Sequence, residues 1–104
     1  MSGGMDLAQK QREEARWRIL RVLDAGRPIA VSAAIVLRVL ADVRLPLGPG
    51  DLRRELHYLK GLGLVEIEEE ESETWYARLS APGVDVVEYT VKAPPGVGRP
   101  KKYW

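Results

Sequence analysis

Apolar residues at the start of the chain recur at intervals of three and four positions, which is the period of an amphipathic helix. This pattern predicts a first helix over residues 7–25, and Gly26 followed by Pro28 is expected to end it. Its apolar positions are Ala15, Ile19, Leu20, Val22 and Leu23. The short apolar segment 29–31 that follows has room only for an isolated strand.

Two more helices are predicted on either side of a turn. Ser32 can cap the second helix, because its hydroxyl can accept a hydrogen bond from a free N–H of the first turn. The apolar side predicted for this helix contains Ile35, Val36, Val39 and Leu40. The turn-rich segment RLPLGPG follows, and Pro49 with Asp51 close behind it favours the start of a third helix.

The third helix, predicted over residues 49–61, has two unlike sides at about 100° of rotation per residue. Three leucines fall together and can anchor it, namely Leu52, Leu56 and Leu59. The opposite side is basic and aromatic, and it carries Arg53, Arg54, His57, Tyr58 and Lys60. Such a side could contact a polyanion, or it could be a solvated surface whose charges form local pairs. The local pairs would be Asp51 with Arg54 and Glu55 with Lys60.

After Gly61 and Gly63 the pattern alternates with period two, which predicts a β-hairpin over residues 64–79. Residues expected to share a strand face are Val65 with Ile67, and Trp75 with Ala77 and Leu79. The hairpin tip is the acidic run 68–73. Ser80 can cap a short fourth helix at about 82–89. The predicted organisation is therefore a flexible leader at 1–6, one domain at 7–90 and an extended tail at 91–104, which is rich in proline, glycine and basic residues.

Composition narrows the function further. The net charge is +1, yet residues 1–63 hold 11 Lys and Arg against 7 Asp and Glu, residues 64–79 hold 1 against 6, and residues 80–104 hold 4 against 2. With no cysteine and one histidine, neither a disulfide nor a metal site is expected. No apolar run could span a bilayer and no catalytic constellation is evident. We expect a cytoplasmic protein that is not an enzyme, with no cofactor and no membrane partner.

Helix, short strand, helix, turn, helix and hairpin is the element order of the winged helix-turn-helix fold. This α+β fold has a three-helix core and a two- to three-stranded wing. The segment GPGDLRRELHYLKGLGLVEI resembles the recognition helix and first wing strand of MarR-type and PadR-type bacterial regulators. YARLSAPGVDVVEY resembles their second wing strand and the short fourth helix. The whole pattern, including PPGVGRPKK, also resembles small winged-helix proteins of Mu-like prophages. The resemblance implies transcription regulation through double-stranded DNA, with the third helix in the major groove.

The acidic hairpin tip limits how DNA could be bound. A carboxylate about 4 Å from a phosphate costs on the order of 1 kcal/mol even in water. Five of them would rival the roughly 4–10 kcal/mol that separates specific from nonspecific DNA binding. We therefore predict that the tip points away from DNA, or that the partner is a basic protein surface. A simpler explanation of the acidic run is that its like charges prevent an exposed edge strand from pairing with other chains.

The tail adds a second candidate DNA contact. Its Gly-Arg-Pro sequence at 98–100 resembles the centre of an AT-hook, in which an arginine enters the minor groove of A·T-rich DNA. The candidate contacts are Arg99, Lys101 and Lys102. Val97 stands where that motif usually has another arginine. The alternative is that the tail packs on the domain through Tyr103 and Trp104.

Two further types of partner are compatible with the sequence. The first helix, with Trp17 among arginines, could pair with a second copy and set two recognition helices about 34 Å apart. Trp17 could equally be a core residue. Because winged helices also serve as protein-binding modules, the acidic hairpin or the first helix could bind another protein.

Overall fold

The computed structural model describes residues 6–102. Its elements are α1 (Leu7–Gly26), β1 (Val31–Ser32), α2 (Ala33–Asp42), α3 (Pro49–Gly61), β2 (Val65–Glu68), β3 (Tyr76–Leu79) and α4 (Ala81–Val87). Asp6, which the sequence analysis places in the leader, is the N-cap of α1, and its side chain accepts a hydrogen bond from the Gln9 backbone N–H at 3.1 Å. The rest of the predicted leader, and Tyr103 and Trp104, lie outside the described residues.

The three strands form one antiparallel sheet in the order β1-β3-β2. β3 lies in the middle, with Val31 of β1 opposite Ala77 and Val65 of β2 opposite Leu79. The predicted hairpin is confirmed, although its second strand begins at Tyr76 rather than at residue 74. The predicted isolated strand is a two-residue strand at the sheet edge. Together with the four helices, the sheet confirms the α+β winged helix-turn-helix fold.

The core lies between α1, α2, α3 and the inner face of the sheet. Its largest fully buried side chains are Ile19, Leu20, Leu23, Val36, Leu40, Leu52, Leu56 and Leu59. Trp75, Ala77 and Leu79 are buried on one face of the second hairpin strand, as predicted. Trp17 is also buried within the chain, where its ring meets the edge of Tyr89 at 6.1 Å. Between residues 6 and 102, no helix combines the length and the apolar character needed to cross a membrane.

The second helix departs from the predicted burial pattern. Val36 and Leu40 are buried, but Ile35 is 51% exposed and Val39 is 36% exposed. Successive helical residues are turned by about 100°, so Ile35 and Val39 leave the core when Val36 and Leu40 fill it. The prediction that all four face the core is therefore wrong, and Val43 extends the exposed apolar stripe by one more turn.

The described part of the tail packs on the domain, although it contains no helix or strand. Val97 is buried in the core, and the Gly98 backbone N–H donates to the Glu13 carbonyl of α1 at 2.9 Å. A Cβ atom at Gly98 would approach the Glu13 backbone to 3.1 Å, so glycine allows this close contact. The tail therefore covers one side of α1.

Candidate nucleic-acid interface

The third helix is held by its apolar side and leaves its polar side open. Its first turn is stabilised by Asp51, whose carboxylate accepts a hydrogen bond from the backbone N–H of the N-cap residue Gly48 at 3.3 Å. The three leucines at 52, 56 and 59 are fully buried, as predicted. On the opposite side Arg53 is half-buried, whereas Arg54, His57, Tyr58 and Lys60 are exposed. The predicted helix bounds and orientation are confirmed.

The acidic hairpin tip folds back onto this polar side. Glu70 Oε1 lies 2.6 Å from Lys60 Nζ, and Glu70 Oε2 lies 2.6 Å from His57 Nε2. The hairpin tip thus lies against the polar side of α3 within the chain, and its predicted orientation away from DNA stays a prediction. Glu70 therefore already contacts two of the predicted contact residues, Lys60 and His57.

The Trp75 ring packs against two residues on the same side of α3, Arg53 and His57. The Arg53 guanidinium carbon lies 4.7 Å from the centre of this ring, and the His57 ring centre lies 5.0 Å from it. Arg53 Nη2 also donates to the Glu73 carbonyl at 2.6 Å. Three of the five predicted helix contacts, Arg53, His57 and Lys60, are therefore held by the wing and must exchange partners to contact DNA.

The contact with Lys60 should be visible in the titration of Glu70. The hydrogen bond from Lys60, followed by that from His57, lowers the pKa of the Glu70 carboxyl below its ordinary value. A carboxyl with a lowered pKa in the folded state stabilises the fold above its unfolded pKa, and this stabilisation is lost as pH falls through the folded pKa. By carbon-13 NMR, we expect a depressed midpoint for Glu70 that rises in a Lys60→Gln variant. An unchanged midpoint in the variant would contradict this contact.

A buried ion pair joins the other side of α3 to α1. Arg16 Nε donates to Glu55 Oε1 at 2.6 Å, and the two side chains are only 12% and 4% exposed. Arg16 also donates to the Gly96 carbonyl at 3.0 Å and lies 3.8 Å from the Tyr58 ring centre. Glu55 therefore does not pair with Lys60, the local partner considered from sequence. Tyr58, a predicted DNA contact, is partly used in packing here.

Arg54 borders a groove between α1 and the turn that precedes α3. The groove has a volume of about 450 Å³, and its lining includes Arg12, Arg44, Leu45, Asp51 and Arg54. Arg54 pairs with Asp51 at 2.6 Å, one of the local pairs considered from sequence. Arg12 and Arg44 are exposed, and their side chains have no hydrogen-bond or ion-pair partner among residues 6–102.

Arg12 and Arg44 are not among the contacts predicted from the sequence. Both belong to the basic region 1–63, and the excess of positive charge in that region was the only sequence feature that could have indicated them as contacts. The fold brings them to one groove beside Arg54. Because they are 32 positions apart in the sequence, local patterns could not predict this. Tertiary structure therefore extends the candidate cationic surface beyond α3.

The tail cations have different environments. Arg99 Nη1 donates to the carbonyls of Val86 at 2.8 Å and Val91 at 2.9 Å, and its guanidinium lies 4.1 Å from the Tyr89 ring centre. Lys101 and Lys102 are exposed, with Lys102 Nζ 6.0 Å from the same ring. Arg99 thus helps to fasten the tail. The DNA contacts predicted for these three residues stay predictions.

Comparison with known proteins gives one informative likeness. No protein-family model matches the chain, and no curated protein matches it. A solved structure, described as the complex structure of hsRosR-S4, is similar with 25% sequence identity and a TM-score of 0.62. The similarity covers 88% of this chain and 86% of that chain. It supports a winged helix-turn-helix regulator in general, while the narrower resemblance to MarR-type, PadR-type or prophage proteins stays a prediction.

Proposed function

We propose that this protein is a DNA-binding transcription regulator that places α3 in the major groove of double-stranded DNA. The observation that carries the proposal is the exposed cationic side of α3, presented by a helix whose leucines are fully buried in a winged helix-turn-helix frame. The likeness to hsRosR-S4 is a second support, since it favours a DNA-binding regulator. Phage origin, a cytoplasmic location and a homodimer remain parts of this proposal.

The residues of α3 would have separate tasks. Arg54 lies almost opposite the three leucines by the helical period, so it is the best placed to reach base edges, and arginine commonly pairs with guanine. His57 is the second candidate for a base or phosphate. Arg53 and Lys60 would contact phosphates after leaving their wing partners, and Tyr58 would pack on the sugar backbone.

The test is a fluorescence anisotropy titration of the whole chain with a random duplex at several salt concentrations. We expect nonspecific binding with Kd of roughly 1–100 µM at physiological salt and a steep loss of affinity as salt increases. Each lost phosphate contact removes about 0.9 from the slope of log affinity against log salt. In an Arg53→Ala/Arg54→Ala variant, the slope should therefore fall by about 0.9 if Arg54 contacts a base edge, and by about two units if both arginines contact phosphates. No binding by the wild-type chain at low salt would refute the proposal, and an unchanged slope would remove both arginines from the interface.

A protein-interaction module is the second candidate. The apolar stripe of Ile35, Val39 and Val43 on α2 favours it, because these side chains are spaced by one helical turn and exposed. The acidic wing would then be a docking element for a basic protein, as the sequence analysis considered. The same titration separates the two candidates. A protein-interaction module is expected not to bind the duplex through α3, whereas a DNA-binding regulator is expected to do so.

A further inference from the structure

We infer that the groove between α1 and the turn before α3 is a second part of the DNA interface, in which Arg12 and Arg44 bind the phosphates of one strand beside the recognition helix. The inference rests on the proposed function and specifies where the DNA backbone lies. It adds phosphate contacts on the α1 side of α3, where the arginines need not leave a carboxylate partner, to those proposed for Arg53 and Lys60.

The distribution of charge is the first argument. Glu55 and Asp51 both line the groove, but Glu55 is paired with Arg16 and Asp51 with Arg54. Arg12 and Arg44 are then left as exposed positive charges without a carboxylate partner within residues 6–102. Because the groove also holds Arg54, it is continuous with the outward side of α3. A phosphate backbone is the partner that this charge pattern fits.

The wing side offers the opposite environment. There Lys60 and His57 already have an acidic partner, since Glu70 lies 2.6 Å from both side chains. The same hairpin carries further glutamates at positions 68, 69, 71 and 73, so its net charge is negative. The α1 side therefore attracts the backbone, while the wing side disfavours it.

The backbone conformation of Arg44 determines which substitution can test its charge. Arg44 has φ 65°, directly after the C-cap residue Val43 of α2. Glycine usually takes this position, because a Cβ atom makes left-handed geometry unfavourable. It does so at the end of α3, where Gly63 has φ 79°. Glu69 and Tyr89 share this conformation, with φ 58° and 64°, so the backbone of Arg44 does not by itself indicate a role. It does mean that glycine can replace Arg44 and remove the charge without straining the fold.

The variant that separates binding from folding is Arg44→Gly. Glycine relieves the left-handed backbone, so we expect this variant to melt at the same or a higher temperature than the wild type. Its slope of log affinity against log salt for a random duplex should nevertheless fall by about 0.9, and that of Arg12→Gln/Arg44→Gly by about 1.8. Loss of binding without loss of stability excludes misfolding as the cause.

The matched control is Arg21→Gln/Lys92→Gln, which removes the same amount of positive charge. Arg21 lies nine residues from Arg12 on the same helix, about half a turn round it, and Lys92 is exposed near the start of the tail. We expect the wild-type salt slope for this control. Equal losses in both double variants, or no loss in Arg12→Gln/Arg44→Gly, would overturn the inference while leaving DNA binding itself intact.

A small anion is the other occupant to test. NMR titration with inorganic phosphate should give only weak, unsaturated shifts at Arg12 in the wild-type chain. Saturable phosphate binding at Arg12 without any change in the DNA salt slope would assign the groove to a small anion and overturn the inference. Absence of DNA binding by the wild type would refute the proposed function as well, so the two failures are distinguishable.

Discussion

Replacing Arg16 by methionine is expected to lower the free energy of unfolding by about 3–5 kcal/mol, because it leaves Glu55 as a buried charge without its partner. The free energy of unfolding of a domain of this size is about 5–15 kcal/mol, so much of the stability would be lost. The variant also loses the contacts of Arg16 with the Gly96 carbonyl and the Tyr58 ring. Urea unfolding followed by circular dichroism measures the effect.

Two further variants test the cause. Arg12 lies one turn from Arg16 on the same helix, but it is exposed. For Arg12→Met we therefore expect the free energy of unfolding to change by no more than about 0.5 kcal/mol. Arg16→Met/Glu55→Leu should recover most of the loss, because an apolar pair can replace a buried ion pair at little cost. A loss below about 1 kcal/mol for Arg16→Met alone would mean that Glu55 finds water or another donor.

Replacing Glu70 by glutamine is expected to tighten binding to a random duplex about five- to tenfold at physiological salt, which corresponds to about 1.0–1.4 kcal/mol. The substitution removes a carboxylate from the outward side of α3 and releases Lys60 and His57 from it. If Lys60 then contacts a phosphate, the salt slope should increase by about 0.9. The anisotropy titration used for the wild type measures both quantities.

Glu71→Gln is the matched control for this prediction. Glu71 lies in the same hairpin tip, is exposed and has no ion pair or hydrogen bond from its side chain within residues 6–102. Both substitutions change the net charge by one unit, yet of the two carboxylates only that of Glu70 contacts Lys60 and His57. We expect less than a twofold change for Glu71→Gln, since this substitution releases neither Lys60 nor His57. Equal gains would show that the wing acts through its total charge and not through the Glu70 contact.

The helices and the hairpin could be predicted from the sequence because their signals are local. Leucines at 52, 56 and 59 set the buried side of α3, and the glycines after it set its end. Alternation in the second hairpin strand predicted which of its residues are buried. The second helix was predicted less well, since its apolar residues outnumber the positions that its neighbours can cover. Ile35 and Val39 therefore remain exposed.

The sequence by itself determined the element order, the winged helix-turn-helix fold and the leucine-backed orientation of the basic helix. These features depend on periodicity and on capping residues, whose effects extend over a few positions. Tertiary structure alone decided which charges remain free. Arg16 meets Glu55 from 39 positions away, Glu70 closes on Lys60 from 10 positions away, and the groove unites Arg12 with Arg44. Charge pairing depends on distance in space, and residue spacing does not fix that distance between separate elements.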